Sequence, residues 1–203
     1  MPQIRAEQLE PALALEPDLA SVIGGLNDIL RRSVELDRVC ADLEAMVAAL
    51  RGQGATVLVM TYPDPTAVIS VARSRVQSRV AVFNHRLREL AAEHGAVVVD
   101  IERDGIAHPA LWSADRLHAN GLGHERIAVA AAAALGLPAG PEPEPLPELR
   151  PQPRHMRIAG DAAWAGRHLA PWVIRRLRGR SSGDGREPKR PRLAPAPGSP
   201  PPG

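Results

Sequence analysis

Leu19-Ala20-Ser21-Val22-Ile23-Gly24-Gly25-Leu26-Asn27-Asp28 is the stretch whose reading decides the architecture. Leu19 to Ile23 is a short apolar run closed by a pair of glycines, and such a run suits a strand covered on both faces, as in a parallel sheet. Two more runs follow: Thr56 to Thr61, closed by Pro63, and Val97 to Val99, ending at Asp100. Between them the pattern is helical. Leu36, Val39, Leu43, Met46, Val47 and Leu50 share one stripe, with Ser33 placed as an N-cap and Gly52 and Gly54 as stops. Val76, Val80, Phe83, Leu87 and Leu90 form a second stripe, ended by Gly95. Gln3 to Leu15 reads as a helix leading into the first run. Leu122 to Leu135 reads as a last helix, with Asn120 near its start and Gly136 at its end. Helix and strand alternate throughout, which predicts an open three-layer α/β sheet with right-handed crossovers. The alternation opens on a helix with no strand before it. Three strands also make a narrow sheet with an apolar edge, so the expectation is that a first strand is missing.

The chain has 203 residues and 44% hydrophobic content, enough for one core. The body is expected over 1–137, followed by a Pro-rich linker over 138–154, a basic amphipathic helix over 155–178 and a disordered basic, Pro-rich tail over 179–203. Pro171 is expected to interrupt or kink that helix. Net charge is only +2, yet from Arg154 to Arg192 eleven Arg or Lys stand against Asp161, Asp184 and Glu187. Cys40 is the sole cysteine, which excludes an intrachain disulfide and a cysteine metal cluster. With no long apolar run and no basic-then-apolar leader at the N-terminus, a cytoplasmic protein is expected. Arg outnumbers Lys 24 to 1 beside abundant Ala and Pro, a bias that fits a GC-rich bacterial genome.

Two stretches carry candidate chemistry. Asp115 and His118 lie three apart, after the last strand and just before a helix, where ligands sit in open α/β sheets. A carboxylate at that spacing can fix the imidazole tautomer and stabilise the imidazolium formed when histidine takes a proton from a hydroxyl. By spacing alone the plainer reading, an Asp, a His and Asn120 lining and capping a helix entry, stands ahead. The second stretch is Gly25-Leu26-Asn27-Asp28. An Asn in such a turn can donate to a developing oxyanion, and glycines beside it let backbone come close. Taken singly, this too reads more simply as an ordinary strand-to-helix turn.

Together these stretches resemble the SGNH (GDSL-type) hydrolases: Gly25-Leu26-Asn27-Asp28 is similar to their Gly-x-Asn-Asp block and Asp115-Arg116-Leu117-His118 to their Asp-x-x-His block. Gly121 to Ile127 resembles the helix start that follows the family's histidine, and the resemblance spans about residues 1–137. It implies a flavodoxin-like three-layer fold that hydrolyses small acyl esters, lipids or acetylated sugars without a cofactor or metal. It also implies that His118 and Asp115 complete a catalytic triad while Asn27, with Gly25 in its block, serves the oxyanion. The family's Gly-Asp-Ser block, which supplies the nucleophile and one oxyanion donor, has no counterpart in this sequence, nor has the block whose glycine supplies another. The expectation is therefore an N-terminally truncated hydrolase with negligible esterase activity as written. The rival reading is a non-catalytic scaffold acting through its basic tail.

No serine replaces the missing one. Ser21 lies inside a strand, Ser33 reads as a cap, Ser113 shares a loop with Asp115, and Ser70, Ser74 and Ser78 follow the second strand. His85 and His94 fall on a helix, His108 precedes Pro109, and His124 reads as helix surface, so no metal-ligand spacing emerges. Asp28 is read as tying down its loop. Tyr62 to Ser74 is irregular and borders the expected cleft, with a solvated loop as its default. The clusters Arg175-Arg176-Leu177-Arg178 and Lys189-Arg190-Pro191-Arg192 have the chemistry to touch anionic lipid or nucleic acid, and Trp164 with Trp172 suits a membrane interface. A proline-broken helix makes a weak anchor, so a solvated basic tail with no specific nucleic-acid partner is the favoured reading.

Overall fold

In a computed structural model, the structure describes residues 1–31, 33–64, 73–103, 106–138, 140–141, 143–149 and 153–178. They fall into two units, one within Met1–Gln152 and the other within Pro153–Gly203.

The first unit runs α1 (Pro2–Leu13), β1 (Leu19–Val22), α2 (Leu26–Ile29), α3 (Leu36–Gly52), β2 (Thr56–Met60), α4 (Arg73–His94), β3 (Val97–Val99), a 3₁₀ turn (Pro109–Leu111) and α5 (Gly121–Ala134). All strand pairings are parallel, in the order β1-β2-β3, with Ala20 opposite Val57 and Val59 opposite Val98. Side chains alternate across a strand, so Val57 and Val59 enter one core and Leu58 the other. The first core takes the apolar stripes of α3 and α4, with Leu43, Met46, Val47, Phe83 and Leu87 inside it. The second is smaller, joining Leu58 and Val99 to Leu122, Ile127 and Ala131 of α5. The fold is the expected α/β arrangement with helices on both faces of a parallel sheet.

Three expectations need correction. β1 is not covered on both faces: Leu19 is 50% and Ile23 49% exposed, because α5 packs over β3 and the second core stops short of β1. Ser33 is not a cap, since α3 starts later with Glu35 at its N-cap position and no side-chain cap bond. Tyr62 lies outside helix and strand as expected but is not solvated: it is 7% exposed and stacks on Phe83 with ring centroids 5.9 Å apart. Residues 65–72 of the same stretch lie outside the described residues.

In the second unit the α-helical bonding is interrupted just before Pro171, as expected, without ending the helical segment: α6 (Arg154–Trp164) passes through a π turn (Ala165–Leu169) into α7 (Ala170–Leu177). A proline ring clashes with the carbonyl four residues back and offers no N–H to it. The π turn avoids both problems by shifting the bonding to five residues, as in Ala170 N–H to the Ala165 carbonyl. Residues 138–149 hold neither helix nor strand among those described, yet Leu146 packs on the second core and the Pro147 carbonyl lies 3.0 Å from His108 Nε2. The expected disordered tail, 179–203, lies outside the described residues.

Asn84 is fully buried on α4, accepting from the Tyr62 N–H at 2.8 Å and donating to the Tyr62 carbonyl at 2.7 Å. Asn84→Ala orphans both backbone groups, and urea unfolding should read a loss of about 1–3 kcal/mol for each. An unchanged unfolding midpoint contradicts that role.

Candidate active site

Parallel strands deliver their C-terminal ends to one edge of the sheet, so the segments following β1, β2 and β3 are neighbours there. The turn after β1 is held from below and from the side. Gly25 has φ +98, and a Cβ at this position would lie 2.5 Å from Phe83 Cζ, so only glycine fits. The Tyr62 hydroxyl donates to the Gly24 carbonyl at 2.9 Å, and burial pushes that hydroxyl well above its ordinary pKa range, keeping it protonated as the donor. α2 then starts, with the Gly25 carbonyl accepting from Asp28 N–H at 2.9 Å and Ile29 N–H at 3.0 Å. Asn27 is exposed in this short helix, and its amide makes no hydrogen bond among the described residues. Asp28 does tie down its surroundings, accepting from the Met1 amino group at 2.7 Å and lying 3.4 Å from Arg31 Nη2.

The exit of β3 is braced by charge. Arg88 on α4 grips Asp100 twice, at 3.0 and 2.7 Å, and also reaches Glu102. Buried Thr61 donates to Asp100 at 3.0 Å and accepts from the Glu102 N–H at 3.1 Å. The Arg88 bond holds the Asp100 carboxyl below its usual range against partial burial.

Beyond this brace the chain is anchored by buried Ile106 and Leu111 and by the Trp112 indole N–H, which donates to the Ile106 carbonyl at 2.9 Å. An antiparallel bridge between Trp112 and Ala119 closes the loop that carries the Asp-His pair. Arg116 takes a positive φ of 58° at its tip. Within it Asp115 Oδ1 accepts from the Leu117 and His118 N–H groups at 3.0 and 3.1 Å, while Oδ2 lies 2.7 Å from His118 Nδ1. Partial burial pushes the Asp115 carboxyl up, but the imidazole bond and the backbone donors outweigh it and hold the group below its usual range. His118 itself stands in solvent, its side chain 79% exposed against 30% for Asp115.

The two readings of this stretch therefore separate onto different residues. Asn120 is the helix cap, its Oδ1 accepting from the Gly123 N–H at 3.0 Å and its Nδ2 donating to the Ala110 carbonyl at 2.7 Å. Asp115 takes no part in capping and holds His118. Gly123 lets the start of α5 close on the loop, since a Cβ there would lie 2.3 Å from the Leu111 carbonyl oxygen.

The structure thus brings Asp115 and His118 into contact, while Gly25 and Asn27 follow the end of β1, two strands and about 10 Å of sheet from the end of β3. Two surface concavities among the described residues, one lined by Asp28, Arg31 and Val39 beside the turn after β1, the other running along β1 past Met1, Ile23 and Leu50, do not include His118. Asn84, Tyr62 and Arg88 were missed as supports of the site. The one available signal was an amide, Asn84, seated on the apolar stripe between Val80 and Leu87. His108 caps the 3₁₀ turn, accepting from Ala110 N–H, and His124 is exposed on α5.

The sequence pattern of the GDSL-like lipase/acylhydrolase family matches residues 2–126. Among solved structures, an α/β hydrolase enzyme from the metagenome of Lake Arreo, Spain, is 25% identical with a TM-score of 0.57, the match covering 66% of this chain and 67% of that one. The acetylxylan esterase of Geobacillus stearothermophilus is 21% identical with a TM-score of 0.57, covering 68% of each chain, a likeness of fold. No curated protein matches the chain.

Asp115→Ala should speed hydrogen exchange at the Leu117 and His118 amides while leaving exchange in β2 unchanged. Because the native Asp115 carboxyl is depressed, its stabilisation of the loop is complete above the unfolded-state value near 3.9 and is lost as pH falls through the lower native value. Loop protection that survives complete acid titration, or that is unaffected by Asp115→Ala, contradicts this geometry.

Proposed function

The chain belongs to the GDSL-like lipase/acylhydrolase family, and from that premise we propose that it supplies the proton-handling and oxyanion-binding groups of a carboxylic-ester hydrolase. The observation that carries the reading is the 2.7 Å contact between His118 Nδ1 and Asp115, on a loop at the ligand-binding edge of the sheet.

With Asp115 accepting from Nδ1–H, the lone pair of His118 lies on Nε2, directed away from its orienting carboxylate. Nε2 then takes the proton of an attacking serine hydroxyl, Asp115 stabilises the imidazolium, and the proton passes on to the departing alcohol. The Asn27 amide is the donor for the oxyanion of the tetrahedral intermediate, with Gly25 allowing close approach of backbone. The hydroxyl must lie within about 2.6–3.2 Å of Nε2. No Gly-Asp-Ser occurs among the 203 residues, and none of the described serines hydrogen-bonds the His118 ring. Residues 1–203 alone are therefore expected to hydrolyse esters negligibly. Acetylated sugars are the first specific substrates to try, supported by the acetylxylan esterase among the structural neighbours.

The test is p-nitrophenyl acetate hydrolysis by residues 1–203 and by a form extended upstream to the preceding in-frame start, each with and without His118→Ala. The expected result is activity in the extended form alone, falling about 10³-fold or more in His118→Ala. An active extended form indifferent to His118→Ala removes His118 as the base. Two folded but inactive forms favour the non-catalytic scaffold.

A further inference from the structure

The helical segment of the second unit has no part in the ester chemistry, and its composition is unlike that of the body. From Arg154 to Arg178 it carries Arg154, Arg157, Arg167, Arg175, Arg176 and Arg178 against a single acid, Asp161. Its apolar residues are segregated. On α6, helical spacing sets Met156, Ile158, Ala159, Ala162 and Ala163 to one side and Arg154, Arg157 and Asp161 to the other. On α7, Ala170, Val173 and Ile174 fall at the helical i, i+3, i+4 spacing.

Large apolar side chains on this segment are left in solvent: Met156 is 55%, Ile158 58%, Val173 37% and Ile174 48% exposed. Trp164 is only 7% exposed, so the aromatic anchor that its sequence position suggested is already engaged. One objection to a membrane role that the sequence raises is the interruption at Pro171, and the helical segment runs on through the π turn at Ala165–Leu169. No helix among the described residues is long and apolar enough to cross a membrane, so a spanning role is not what this segment offers.

We propose that residues 154–177 form an interfacial helix that lies on an anionic bilayer, with Met156, Ile158, Val173 and Ile174 entering the boundary between headgroups and acyl chains. The arginines meet lipid phosphates. A bilayer is favoured over another polyanion because an exposed aliphatic stripe gains free energy only in an apolar medium, whereas nucleic acid rewards the charge alone. This inference stands apart from the hydrolase reading and survives its failure.

The full chain is floated with vesicles of phosphatidylcholine and with vesicles of phosphatidylcholine mixed with phosphatidylglycerol. The expected result is co-flotation with the anionic vesicles only, weakened at high salt as the surface potential is screened. Ile158→Asp with Val173→Asp should lower the apparent affinity at least about tenfold, and Arg154→Ala with Arg157→Ala should lower it by a similar factor. If the aspartate pair alters the helical circular dichroism, Met156→Ser with Ile174→Ser carries the same expectation. No flotation with anionic vesicles overturns the proposal in favour of a solvated basic segment. Binding that falls with the arginine changes but ignores both apolar pairs also overturns it, leaving a plain polyanion contact.

Discussion

Asn84 and Arg88 lie one turn apart on α4, and between them they fix the edge of the sheet on which everything else depends. Asn84 satisfies both backbone groups of Tyr62 where β2 ends, and Arg88 grips Asp100 and Glu102 where β3 ends. Side chains four apart on a helix point the same way, so one rigid element braces both strand exits. The brace extends to the turn after β1, because the same Tyr62 donates its hydroxyl to Gly24 and Phe83, the neighbour of Asn84, fills the space beneath Gly25. Loops that carry functional side chains are useful only when their ends are fixed, and here the ends are fixed by buried polar contacts that are costly to break.

The site on that edge is built in two different ways. The Asp115–His118 pair is organised locally: one carboxylate accepts from the imidazole and from two backbone amides within four residues of chain, so it orients the ring without help from the core. Asn27 depends on distant contacts, because its position follows from Gly25, Phe83 and Tyr62. A change in the core of α4 should therefore disturb the turn after β1 before it disturbs the Asp115–His118 pair. The open face of β1, with Leu19 and Ile23 in solvent, arises because α5, packed on that side of the sheet among the described residues, covers only the β3 end.

The fold was legible because it is written in periodicity. The stripes of α3 and α4 and the runs of β2 and β3 declare which residues are buried, and Gly95 and Gly136, with φ +63 and +67, mark helix ends where expected. What periodicity does not encode is which neighbour covers a face, and so the apolar run of β1 predicts a cover on both faces that the structure does not provide. Ser33 has the right chemistry for a cap, but α3 starts three residues later at Leu36, with Glu35 at its N-cap position. At Pro171 the clash with an α-helical carbonyl is legible because it is local, whereas its accommodation by a π turn depends on Ala165–Leu169 and is not. The Asp-x-x-His spacing was legible as a pair, while its competing role as a cap could be assigned only once Asn120 was seen to fill it. The Arg88, Asp100, Glu102 and Thr61 cluster was out of reach, since its members are joined only by the parallel register of β2 and β3.

The central claim is that Asp115 fixes the tautomer of His118 and leaves Nε2 as the basic nitrogen. Long-range ¹H–¹⁵N correlation of the neutral His118 ring reads this directly. A protonated Nδ1 and an unprotonated Nε2 are the result the account predicts. A proton on Nε2 in the neutral ring would contradict it, because the pair would then be a surface contact with no lone pair directed at a substrate.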